Sequence, residues 1–129
     1  MTDASNMTVT IDDAIRARPE LLAQVEEAQR YFDGEYADLP PNSEWTNPQI
    51  RWLYVPATEE VRAVFTETHP EQEDRTAHSV DVPIKYLGDT YARESSVRAL
   101  LRQVTRARSK VHSRRIDRLL LQMEEQENG

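Results

Sequence analysis

Residues 95–126 read SSVRALLRQVTRARSKVHSRRIDRLLLQMEEQ. Val97, Leu100, Leu101, Val104 and Val111 recur at helical spacing, with Ala107 filling the same face. Ile116, Leu119, Leu120 and Met123 form a second apolar face, out of phase with the first. The shift falls near His112 and Ser113, so the spacing predicts either one helix bent there or a second helix capped by Ser113. A polar helix of this length sets the expected fold class: a small, mainly α domain with a long C-terminal helix.

Upstream, Thr10 and Asp13 have the spacing of a helix start, and Asp12 and Asp13 suit the positive end of a helix dipole. Pro19 fits the first turn of a second helix, in which Leu21, Leu22, Val25, Ala28 and Phe32 keep helical spacing up to Asp33-Gly34. Residues 34–49, with two adjacent prolines and an Asn-Pro, read as a loop. Ile50 to Val55 is aromatic and β-branched, the best strand candidate. Thr58 then looks like the cap of a short helix through Glu59, Glu60, Val61, Ala63, Val64 and Phe65. Residues 69–78 read as a polar linker. Val80, Val82 and Ile84 alternate, consistent with an edge strand containing Pro83 or with a helix starting there. The expected organisation is a flexible arm at 1–9, an acidic helical core at 10–94 and a basic helix or helix pair at 95–126. The core has room for one two-stranded ribbon pairing 50–55 with 79–84.

The chain has 129 residues, enough for one domain with a buried core. The absence of cysteine excludes disulfides, thiolate metal sites and thiol catalysis. No apolar run reaches membrane-spanning length. The first ten residues, with Asp3 and no apolar stretch, do not read as a secretory leader, so the expected location is cytoplasmic. Charge is unevenly placed. The chain is net −7, with fourteen Arg and two Lys, Lys85 and Lys110. Residues 98–118 hold 8 basic residues and 1 acidic residue, whereas residues 1–97 hold 8 basic and 19 acidic. Such asymmetry points to a polyanion or to an acidic protein surface.

Residues that could carry catalysis are few. Gly34, Gly88 and Gly129 are the only glycines, so there is no phosphate loop. His69 and His78 stand nine apart near Glu71, Glu73 and Asp74, a spacing that could hold a metal but is ordinary for a solvated acidic linker. The pairs Asp12-Asp13, Glu26-Glu27 and Glu59-Glu60 suit helix first turns and solvated faces. The reading is therefore no enzyme, no catalytic residue, no metal, no cofactor and no small-molecule substrate.

Arg98, Arg102, Arg106 and Lys110 recur every four residues, a stripe that drifts only about 40° per step around a helix. Within Leu87 to Val104, LGDTYARESSVRALLRQV, a helix closing near Tyr91-Ala92, a polar turn at Arg93-Glu94 and a second helix opening Ser95-Ser96-Val97-Arg98 can be read. This stretch resembles the helix-turn-helix of bacterial and archaeal DNA-binding regulators, with Ala92 where such motifs usually have glycine. The resemblance implies a small transcriptional regulator binding duplex DNA. Ser95, Ser96, Arg98 and Arg102 would then face base edges, and Arg106, Arg108, Lys110, Arg114 and Arg115 would hold phosphates. Ile116, Leu119, Leu120 and Met123 would form a homodimer interface. Two other classes fit the same charge layout. One is a non-enzymatic assembly subunit, a viral one included, or adaptor whose basic helix docks an acidic partner. The other is an acidic inhibitor imitating nucleic acid.

Overall fold

The computed structural model describes residues 7–39, 44–71 and 76–128. In chain order the elements are β1 (Val9–Thr10), α1 (Ile11–Ile15), α2 (Glu20–Ala37), β2 (Thr46–Val55), β3 (Glu60–Thr68), β4 (Thr76–Pro83), α3 (Ile84–Leu87) and α4 (Thr90–Asn128). The strands form one antiparallel sheet in the order β1-β2-β3-β4. The fold is therefore α+β, which corrects the mainly α expectation.

The correction comes from residues 58–65. Thr58-Glu59-Glu60 imitates a helix start, but Glu59 has φ 52° and closes a hairpin turn between β2 and β3. Val61, Ala63, Phe65, Glu67 and His69 are buried, and the residues between them are half-buried. That period of two belongs to a strand with one covered face. β3 then becomes the centre of the sheet, so 50–55 and 79–83 both pair with it and not with each other, while Ile84 starts α3. Of the presumed linker 69–78, Thr76 to His78 belong to β4, and residues 72–75 lie outside the described residues. In β2, the register shifts between Thr46 and Gln49, where Asn47 takes φ 57° and Pro48 has no N–H for the ladder.

One sheet face carries the helices. Phe65, Ala63, Ala28, Phe32, Val97, Leu100, Leu101 and Val104 make one buried cluster of α2, β3 and α4. Ala14, Leu21, Val25, Val61, Val82 and Leu87 make a second, and Trp52 packs against both. The Trp52 indole N–H donates to Gln29 Oε1 at 2.7 Å.

Thr10 caps α1, its hydroxyl accepting the Asp13 N–H at 3.2 Å, and Val9 and Thr10 pair with Tyr54 and Leu53. α2 does not stop at Asp33-Gly34 but continues to Ala37. Its last turn brings Tyr36 within 5.7 Å of Phe32 and 5.5 Å of Phe65, ring centre to ring centre. Such ring pairs are worth about 0.5–1.5 kcal/mol each, which together outweigh the roughly 1 kcal/mol a glycine costs inside a helix.

α4 is a single helix of 39 residues, about 58 Å long at 1.5 Å per residue. It passes without a break through His112-Ser113 and through Arg93-Glu94, where the helix-turn-helix resemblance requires a turn. Its last buried residue is Val111. Among the described residues, no helix is long and apolar enough to cross a membrane.

Candidate functional site

α4 presents three chemically distinct stretches, each set by which of its faces meets the sheet. The first is a buried ionic network. Glu67 lies fully buried on the covered face of β3, and Arg108 reaches it from α4. Arg108 Nε donates to Glu67 Oε1 at 3.1 Å and Nη2 to Oε2 at 2.8 Å, and the guanidinium lies 5.7 Å from the Tyr36 ring centre. Burial works against the Arg108 charge, but the bonds to Glu67 overcome it and raise its pKa.

His69, 1% exposed, continues the network. Its Nδ1 accepts the Glu71 backbone N–H at 3.1 Å, which leaves Nε2 to carry the proton and donate to Glu44 at 3.1 Å. Arg115 bridges Glu44 and Glu71, and Arg118 adds a second cation to Glu71 at 3.1 Å. The Arg115 hydrogen bond, with His69 behind it, holds the Glu44 carboxyl below its ordinary value. Burial pushes Glu71 up, yet Arg115 and Arg118 bring it below its ordinary value as well.

The second stretch is a cationic groove of about 390 Å³ between α4 and the β4 edge. Trp45, Ala107 and Val111 line it together with Thr76, His78, Gln103, Arg106, Lys110 and Arg114. On α4 these fall at 103, 106, 107, 110, 111 and 114, the repeat of one helix face. Arg106, Lys110 and Arg114 form no ion pair with any described residue, and neither does the exposed Arg102 one step up the stripe. His78 Nε2 is enclosed and has no hydrogen-bond partner among the described residues. Burial lowers the His78 pKa, against the opposing charge of Glu67, so the ring is neutral near pH 7.

The third stretch is the end of the helix. From His112 to Gln126 every residue except Arg115 is exposed. Ile116, Leu119, Leu120, Leu121 and Met123 are 44%, 59%, 52%, 57% and 58% exposed. At 100° per residue, Ile116, Leu119, Leu120 and Met123 lie about 80–180° around the helix from Val111. The out-of-phase spacing in the sequence thus produces an apolar seam turned away from the body.

The nine residues expected to contact nucleic acid are therefore divided. Arg102, Arg106, Lys110 and Arg114 are exposed along one stripe. Arg108 is committed to Glu67, and Arg115 to Glu44 and Glu71. Arg98 donates to the Tyr31 hydroxyl at 2.9 Å. Ser95 and Ser96 are half-buried, and Ser96 Oγ donates back to the Ala92 carbonyl at 3.0 Å. Sequence reasoning overlooked Glu44, Glu67 and Gln103, and weighed His78 only as a possible metal ligand. The alternation that buries Val61, Ala63 and Phe65 also buries Glu67 and His69, and a strand reading of 60–68 would have demanded a cation for Glu67. Among the described residues, no three His, Asp or Glu side chains are grouped to hold a metal, and His69 and His78 serve separate surroundings. Glu73 and Asp74 lie outside the described residues. Comparison with protein-family models, curated proteins and solved structures finds no match to this chain.

Proposed function

We propose that this chain is a non-enzymatic assembly module whose projecting α4 end joins it to a second copy. The observation that carries this reading is the exposed seam of Ile116, Leu119, Leu120 and Met123 on the helix side facing away from the fold. A seam so placed cannot be covered by its own sheet, and continuous apolar surface of this kind marks interaction sites. The end of α4 also carries Glu124, Glu125 and Glu127 near the negative pole of its dipole, which weakens an isolated helix end by a few tenths of a kcal/mol per charge.

The segment is complementary to itself when two copies run antiparallel. Setting Ile116 against Met123 of the second copy places Leu119 against Leu120. Half-covering eight such side chains gives roughly 8 kcal/mol of gross stabilisation, most of which offsets the freedom lost on association. The expected dimer is therefore weak, with micromolar dissociation.

Sedimentation velocity over a concentration series tests this. The expected result is a monomer–dimer equilibrium at tens of micromolar, abolished by Leu120→Glu without loss of thermal stability. A chain that stays monomeric throughout that range overturns the proposal.

A further inference from the structure

We propose that the groove between α4 and the β4 edge, formed by His78, Gln103, Arg106, Lys110 and Arg114, is a phosphate-binding site that takes a nucleic-acid backbone. Three cations converge on one cavity, and among the described residues no carboxylate lines it. The other cations of the helix show what happens when an acid is within reach. Arg108, Arg115 and Arg118 are all paired with glutamates of β3, of the loop after it or of the segment before β2. Arg106, Lys110 and Arg114 face the remaining side and have no such partner among the described residues.

The neutral groups fit the same chemistry. His78 Nε2 is an enclosed nitrogen without a partner, on a strand at the sheet edge. As the N–H tautomer it donates to an anion without adding a charge that would have to be desolvated. The Gln103 amide already donates to the Ser79 carbonyl at 3.0 Å, which fixes that wall of the groove against β4. Trp45 is 6% exposed and packs at 4.8 Å against the His69 ring, so it forms a wall and has no free face for stacking a base. The groove therefore reads phosphate and not base identity.

The length of the stripe selects a chain of phosphates over a single one. With Arg102, four cations follow one another about 6 Å apart along roughly 18 Å of helix. One phosphate could meet only one or two of them. Outside residues 98–118 the chain is strongly acidic, so a polyanion is repelled elsewhere and confined to this stripe. The site uses α4 above the apolar seam and does not depend on whether the seam pairs two copies.

The test is fluorescence anisotropy with labelled single-stranded and duplex oligonucleotides of random sequence, across salt. With three phosphates neutralised, the log–log salt slope is expected near −2.7 for duplex and about −2.1 for a single strand. The single substitution Lys110→Gln should reduce the slope by about one. Combined Arg106→Gln, Lys110→Gln and Arg114→Gln should weaken binding at least about tenfold at low salt while the melting temperature holds. In NMR titrations, inorganic phosphate should raise the His78 pKa. Equal binding by the triple variant overturns the proposal. Oligoglutamate binding as tightly as an oligonucleotide of equal charge overturns it too, since the groove would then accept acidic peptides.

Discussion

Arg108 and Glu67 meet through two parallel hydrogen bonds, at 3.1 and 2.8 Å, and the carboxylate has no exposed surface. The pair joins α4 to the central strand at the edge of the apolar core. Removing the cation would strand a buried charge, a loss of about 3–5 kcal/mol. Arg108→Ala is thus expected to lower unfolding stability by about that much. Arg102→Ala, on the exposed stripe, should stay within about 0.5 kcal/mol. Urea denaturation of both variants checks the contrast. Replacing both partners, Arg108→Met with Glu67→Leu, should recover most of the loss.

The strand character of 60–68 has its own test. Phe65 is 1% exposed and touches Phe32 and Tyr36, whereas its neighbour Val64 lies half-buried on the open sheet face. Phe65→Ala should destabilise by about 3–5 kcal/mol and Val64→Ala by clearly less. Denaturation midpoints that drop equally for the two would contradict the alternation.

Gly34 sits inside α2 without a positive φ, and a Cβ added there meets no atom within 4 Å. Alanine reduces the freedom of the unfolded chain and suits a helix. Gly34→Ala is expected to raise stability by about 0.5–1 kcal/mol, read as a higher melting temperature with unchanged far-UV dichroism.

Glu44 and Glu71 have carboxyl groups held below their ordinary value of 4.5, by Arg115 and His69 in one case and by Arg115 and Arg118 in the other. A carboxylate with a lowered folded-state pKa contributes stability above its unfolded value, and this is lost as pH falls through the folded one. The parent should therefore lose thermal stability on acidification from about pH 5 downward. The double variant Glu44→Gln, Glu71→Gln should start less stable at pH 7 and lose less over the same range. Parallel melting curves for the two proteins would show that these pairs contribute nothing.

How much was legible depended on whether a local pattern had one meaning. Val97 to Val104 repeats over several turns at helical spacing, and the helix is there. Thr10, Pro19 and the β-branched run Ile50 to Val55 carry equally local signals. The failure came at Glu60 to Phe65, where a short apolar run follows a threonine and two glutamates and satisfies a helix start as well as a strand. One misread strand had wide consequences. Without β3 the sheet shrinks to a ribbon, and Glu67 and His69 lose the covered face that explains them.

The amino-acid sequence by itself determined the long helix, its basic middle, its out-of-phase apolar end and the acidic remainder, because spacing and charge are properties of the chain order. Only the tertiary structure decided which cations are free. Arg106 and Arg108 are two residues apart and chemically identical, yet 200° of rotation points one into the groove and the other onto Glu67. That outcome depends on where β3 and β4 lie against the helix. Contacts between residues 41 positions apart, such as Glu67 and Arg108, leave no trace in local spacing. They arise when burial of the shared core brings the two elements together, and the ionic partners are then set by proximity.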